Sequence, residues 1–165
     1  MAAVASVLGI LLAFSTTYYN IGRGKLELTG DPATAGIPED IERTVFQRIY
    51  RTDGSFRTRP SGGFLWHQEH LHYHFSDFAE YSLEAASGTP PFETNKLRKK
   101  STFCIRDVSR VSVKGVSTNA PAEYLICGKE RQGVSVGWGD TYFHTYADQN
   151  IDITSVPSGI YNLII

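Results

Sequence analysis

Residues 66–75 read WHQEHLHYHF, and four of the chain's five histidines fall inside this stretch. On a β-strand, residues i, i+2 and i+4 share one face, so His70, His72 and His74 are expected to project together. Neighbours on that face stand roughly 6.5–7 Å apart along the backbone, and twist and rotamer choice bring three imidazoles within reach of one metal ion. Leu71 and Tyr73 then point the opposite way, into a core. His67 falls on their parity and is expected to be a structural group behind the ligands. Three neutral imidazoles with open positions suit Cu(II) or Zn(II), and no thiolate stands nearby to favour Cu(I) or structural zinc. Spacing does not choose copper over zinc. The bland alternative is a strand face that is merely His-rich, and strict alternation of three histidines makes it the weaker one.

Working outward, short apolar-polar alternation recurs in KLEL (25–28), TVFQRIYR (44–51), STFCIRD (101–107) and EYLIC (123–127). It returns near the end in IDITSV and GIYNLII. Pro and Gly clusters punctuate these segments: DPATAGIP, RPSGG, SGTPP, NAP and PSG. No stretch keeps a helical period long enough for a bundle helix. Nine Tyr, nine Phe and 15 Gly against a single Met fit strands and turns. The expected fold is therefore all-β, a β-sandwich core with long loops, in a single domain over residues 1–165.

Composition sets the outer limits. With 41% hydrophobic and 20% charged residues, the chain has the apolar content for a core and is not broadly disordered. A formal net charge of -1 excludes a protein that binds nucleic acid by its overall charge. The basic cluster Lys96, Arg98, Lys99, Lys100 reads by itself as a solvated strand entry. At the N-terminus, MAAVASVLGILLAF (1–14) lacks the basic region of a signal peptide, since the first charge is Arg23. Ser15, Thr16, Thr17 and Asn20 interrupt it as a membrane span. LLAFSTTYYNIG is expected to form a buried strand that feeds a turn at Gly22–Gly24 and a second strand, KLELTG. VPSGIYNLII (156–165) ends on an apolar run without a polar tail, so the sequence is expected to be cut short there, having begun inside an early strand.

Trp66-His67-Gln68-Glu69-His70-Leu71-His72-Tyr73-His74 resembles the W-H-x-x-H-x-H-x-H copper motif of the lysyl oxidase family, the copper-dependent amine oxidases. Four further blocks follow in family order. Asp77, Phe78 and Tyr81 continue the motif strand, and Phe103-Cys104-Ile105-Arg106-Asp107 resembles F-C-x-x-D. Gln132-Gly133 leads to Asp140-Thr141-Tyr142, similar to Q-G and D-T-Y. Gln149 to Thr154, with Val156, Pro157, Gly159 and Tyr161, resembles the closing block. The resemblance runs from about Lys25 to the C-terminus. LELTGDPATAG, QRIYRTDGSF and RPSG look more like microbial than animal members.

The resemblance implies a lysine tyrosylquinone cofactor made from one Lys and one Tyr of the chain. The positions that match are Lys100, three residues before Phe103, and Tyr142, which closes D-T-Y. It also implies copper on His70, His72 and His74, with dioxygen as oxidant and a primary amine or a lysine-containing protein as substrate. The reaction would be oxidative deamination to an aldehyde, releasing hydrogen peroxide and ammonia. Asp140 is the candidate base that removes the substrate proton, because it lies two residues before Tyr142 on the same face of any strand; a turn-forming Asp after Gly139 is the alternative. Cys104 and Cys127 either pair across neighbouring strands, which suits a secreted, extracellular protein, or remain free and buried. The histidine that animal members carry shortly after the copper motif is Glu80 here. No nucleic acid or integral membrane span is expected. The rival is a non-catalytic, secreted copper-binding β-sandwich module.

Overall fold

The computed structural model describes residues 9–86, 98–112, 119–147 and 149–165, without the side chains at 77 and 98–100. In chain order the strands are β1 (Leu11–Ala13), β2 (Thr16–Tyr19), β3 (Leu26–Gly30), β4 (Arg43–Tyr50), β5 (Phe56–His67), β6 (His72–Ala85), β7 (Arg98–Phe103), β8 (Ser109–Arg110), β9 (Arg131–Val134), β10 (Trp138–Tyr142), β11 (Asn150–Asp152) and β12 (Tyr161–Ile164). Among the described residues, the only helical piece is a 3-10 turn at Pro32–Thr34. Asp31 starts it by accepting the Ala33 N–H at 3.0 Å, and Pro32 presets its first dihedral. The protein is all-β and sandwich-like, as the alternation predicts.

The chain divides into two compact units. The larger comprises Thr16–Phe78 and Thr102–Tyr142. In it, β6, β5, β4, β3 and β9 form an antiparallel sheet in that order, and β2, β10 and β8 form a second one. Aromatic side chains fill the space between strands. Tyr18 of β2 meets Phe78 of β6 edge-on at 4.9 Å, Phe78 lies 6.1 Å from Phe103, and Phe103 stacks on Tyr142 at 3.6 Å. Full burial of rings such as Phe64 and Phe103 contributes roughly 1.5–3 kcal/mol each.

Two polar devices and a covalent one fasten this core. Gln132 is fully buried; it accepts the Ile105 N–H at 2.9 Å and donates to Tyr73 O at 2.8 Å and Gly128 O at 3.1 Å. Asp107 accepts the backbone N–H groups of Glu123, Tyr124 and Ser135 at 2.8, 3.1 and 2.7 Å. Gly133 follows Gln132 because a side chain there would run into Leu26 O and the Tyr124 ring. The third device is covalent. Cys104 and Cys127 are bridged, with Cα atoms 5.3 Å apart, which decides between the two states open from sequence. Closing a loop of 23 residues stabilises by roughly 3 kcal/mol.

In the smaller unit, Met1–Ser15, Ala79–Ser101 and Phe143–Ile165, β1 pairs with β11 and the end of β6 pairs with β12. Tyr81 and Gln149 are buried together there, and Phe14 packs edge-on against Tyr81 at 4.9 Å. LLAFSTTYYNIG is therefore not one buried strand. It breaks at Phe14–Ser15 into β1 and β2, which pair with β11 and β10, and Leu11 is 57% exposed. Among the described residues, no helix is long and apolar enough to cross a membrane.

Candidate metal centre

The histidine stretch is a hairpin, not a single strand. β5 ends at His67, the chain turns through 68–71, and β6 begins at His72. The turn closes through the His70 N–H, which donates to His67 O at 3.2 Å. Leu71 adopts φ 55, the left-handed region that a bulky side chain rarely enters. This residue sits at the tip and is 67% exposed, so the expectation that it enters the core is corrected; Tyr73 is buried as expected. His72 and His74 do share a strand face, whereas His70 reaches them from the turn.

His67 moves furthest from expectation. It pairs directly with His72 across the two strands, and opposed residues of an antiparallel pair present their side chains on the same face. Its ring stacks on His70 and His74, with centroids 4.3 and 4.5 Å away. Strand parity assigned it to the other face because parity resets at the turn.

His74 is the hub. Its Nε2 lies 3.2 Å from His70 Nδ1 and 3.0 Å from His72 Nε2, and its Nδ1 lies 3.1 Å from Thr102 Oγ1. With Nδ1–H donated to Thr102, Nε2 has one lone pair for two neighbouring nitrogens. One lone pair does not serve both of them, whatever their tautomers, whereas a metal ion accepts all three nitrogens. Ligands held at about 2.0–2.1 Å from an ion stand about 3 Å apart when adjacent, which is the spacing found. Burial, followed by charge repulsion from His67, His72 and His70, pushes the His74 pKa down to about 3. Burial first, then the charges of His70 and Arg106, lowers that of His72. Both rings therefore stay neutral near pH 7, the state that ligates metal. His67, His70 and His74 also form a group whose ligand atoms all lie within 4.8 Å of one another.

One residue along β7 from Thr102, Phe103 carries the stacked Tyr142. The Tyr142 hydroxyl reaches Cys104 O and lies 3.0 Å from Asp140 Oδ2. Asp140 lies in β10 with a buried side chain, 1% exposed, so it is not a turn residue. Burial raises its pKa to about 7 against the opposing bonds from Tyr142 and the Arg106 N–H. The hydroxyl has one proton for two acceptors. If it donates to the Cys104 carbonyl, Asp140 completes the pair by donating a proton of its own, which the raised pKa favours. The Lys100 side chain, like that of Asp77, lies outside the described residues.

The lysyl oxidase family model matches residues 46–165, which takes in the histidine hairpin, Cys104, Asp140 and Tyr142. The chain belongs to the lysyl oxidase family. Similar proteins include Lysyl oxidase homolog 3B of Danio rerio, 38% identical over 82% of this chain and 16% of that protein. Lysyl oxidase homolog 4 of Homo sapiens is 34% identical over 72% of the chain and 14% of its own length. Lysyl oxidase homolog 2 of Gallus gallus is 32% identical over 70% and 14%. The chain thus spans less than a fifth of the length of these curated relatives. Sequence reasoning missed Thr102 altogether. A hydroxyl one position before Phe103 has no periodic signature, and only folding brings it to His74.

Proposed function

We propose that this lysyl oxidase family chain is a copper-dependent amine oxidase acting on primary amines, peptidyl lysine among them. The reaction is R–CH2–NH2 + O2 + H2O → R–CHO + NH3 + H2O2. The observation that carries the proposal is the convergence of His70, His72 and His74 on one point with a single lone pair at its centre. Those three residues would hold copper, which supplies activation of dioxygen and oxidation of a nearby phenol. Lys100 and Tyr142 are the proposed sources of lysine tyrosylquinone, the group that takes two electrons from the amine.

The chain's own residues supply orientation and proton transfer. Phe103 fixes the plane of the Tyr142 ring by stacking, and the disulfide at Cys104 steadies the carbonyl that the phenol meets. Asp140, with a pKa near 7, is poised both to take a proton at Oδ2 and to return it. The same position suits it to remove the α-proton of a bound amine. The disulfide also supports an oxidising, extracellular setting.

The test is copper reconstitution in air followed by a redox stain for quinones and intact-mass analysis. A positive stain and a Lys100–Tyr142 crosslink, both lost in Tyr142→Phe while copper stays bound, are expected. A colourless, stain-negative protein with copper bound would show a metal-binding module without oxidase chemistry.

A further inference from the structure

On the sheet face opposite Leu28 and Gln132, strand register builds two cross-strand rows. Thr58, Arg48 and Glu27 form one, and Phe46, Thr29 and Arg131 form the next. Side chains at i and i+2 share a face, so both rows open on the same side, with Phe56 beyond Thr58. Between them lies a cleft of about 390 Å³, lined by Phe46, Arg48, Phe56, Thr58 and Arg131. Phe56 is 45% exposed, and the Arg48 guanidinium lies over its ring at 4.6 Å. The run of β5 from Thr58 to His67 covers roughly 30 Å at about 3.3 Å per residue, so the cleft is separate from the histidine cluster.

The positive charge at this cleft is not used up. The oxygens of Glu27 are already taken by Tyr50, Arg48 and Tyr124. Lys25 pairs with Glu123 at 2.6 Å. Arg131 stands 3.7 Å from Glu27 with its side chain 50% exposed, and among the described residues that side chain makes no hydrogen bond. Two guanidiniums therefore share one buried carboxylate. Glu130 also borders the cleft, and among the described residues it pairs with neither of them. A lone surface arginine is satisfied by water. Here two are held at one apolar cleft, Arg48 over Phe56 and Arg131 over the Tyr124 ring at 5.3 Å.

We propose that this cleft binds an acidic peptide segment of a partner protein. A Glu or Asp carboxylate sits on Arg48 and Arg131, and a neighbouring apolar side chain packs on Phe46 and Phe56. Charge complementarity selects the carboxylate, and the exposed phenyl ring selects a peptide over a bare anion. Binding there needs neither copper nor the quinone.

The test is an NMR titration of the whole chain with the blocked peptide acetyl-Leu-Glu-Phe-Glu-Leu-amide, read at backbone amides. Saturable shifts at Thr29, Thr58 and Arg131 are expected, with the histidine hairpin unmoved. The same peptide with Gln for Glu should bind about tenfold more weakly, and so should the acidic peptide to Arg131→Ala. Phe56→Ala should bind it about threefold more weakly. Affinity should also fall as salt rises from about 50 to about 500 mM. Inorganic phosphate should reach the same shifts only at a concentration about tenfold or more higher. No saturable shift, equal binding of the Gln peptide, or phosphate as tight as the peptide overturns the proposal. Those comparisons use the wild type alone and stand even if a variant fails to fold. Shifts confined to the histidine hairpin would overturn it as well, whereas a negative quinone stain would sink the oxidase proposal and leave this one intact.

Discussion

Glu27 and His74 are both buried polar side chains of the larger unit, 1% and 5% exposed, yet their neighbours serve them in opposite ways. Around Glu27 the donors match the acceptors. Oε1 accepts from Tyr50 Oη at 2.8 Å and Arg48 at 3.1 Å, and Oε2 accepts from Tyr124 Oη at 2.7 Å. Lys25 and Arg131 stand at 3.9 and 3.7 Å. Burial alone would raise the Glu27 pKa, but the two tyrosine bonds and then the charges of Lys25 and Arg48 outweigh it, so the pKa is lowered. This network is closed. At His74 two neighbouring ring nitrogens converge on the one lone pair of Nε2, and the set is satisfied only by something added. A closed polar cluster contributes to the fold, and an open one is built for a ligand.

The largest effect should come from opening the closed cluster. Glu27→Ala leaves the buried Tyr124 hydroxyl, the half-buried Tyr50 hydroxyl and a guanidinium without their acceptor, and is expected to cost about 3–5 kcal/mol in denaturant unfolding of the metal-free protein. Copper affinity of the folded fraction should not change. His74→Ala should do the reverse. It removes the hub and is expected to weaken copper binding about 1000-fold, while metal-free stability falls by only about 1–2 kcal/mol. Chelator competition and urea titration on both variants separate the two. If Glu27→Ala lost copper as His74→Ala does, the contrast between the clusters would collapse.

Some of this contrast was legible in the sequence. Period-two alternation in KLEL and TVFQRIYR matches strands β3 and β4, although burial follows it only at the start of β4, where Arg43 and Val45 are buried and Thr44 is exposed; in β3 the neighbours Glu27 and Leu28 are both buried. The histidines announced themselves by density. Their geometry was misread because alternation holds only within a strand, and the turn at 68–71 resets it. Nothing local marked that turn, since it contains neither Gly nor Pro and bends through Leu71 at positive φ. Glu27 was invisible for a different reason. Its partners Tyr50 and Tyr124 lie 23 and 97 residues away, and the register of β3 with β4 brings only the nearer one into place. The Asp140–Tyr142 pair was visible as two residues on one face of a strand, whereas the burial that raises the Asp140 pKa was not.

A third test asks to which class Asp140 belongs. Its folded pKa of about 7 lies well above the unfolded value of about 3.9. The folded state therefore holds the proton more tightly. The stabilisation this gives is full below about pH 4 and is lost as pH rises through 7. Asp140→Asn mimics the neutral form at every pH. Relative to wild type it should gain roughly 3–4 kcal/mol between pH 4 and pH 8 in metal-free unfolding. A gap that does not change with pH would mean that Asp140 is ionised throughout and belongs with Glu27.

The smallest effect is the most diagnostic, because it acts through a hydrogen bond beside the cluster and not through a ligand. Thr102→Val keeps the shape of the side chain and removes the hydroxyl that faces His74 Nδ1 at 3.1 Å, leaving only the Thr102 backbone to hold that nitrogen. A ligating imidazole whose other nitrogen is held by a partner is fixed in tautomer and ring angle, and losing such a partner costs 10–100-fold in affinity in typical sites. About tenfold weaker copper binding is expected here, at the low end, because stacking on His67 also holds the ring. Thr102→Ser should restore the affinity. Nitrogen NMR of the zinc-loaded protein should show the His74 Nδ1 proton in wild type and Thr102→Ser, and a mixture of tautomers in Thr102→Val. The corresponding change in the closed cluster, Tyr124→Phe, should cost about 1 kcal/mol of stability and leave copper affinity alone. If Thr102→Val instead lost stability without losing copper, the hydrogen bond to His74 would be one more closed contact, and stacking alone would aim the ring.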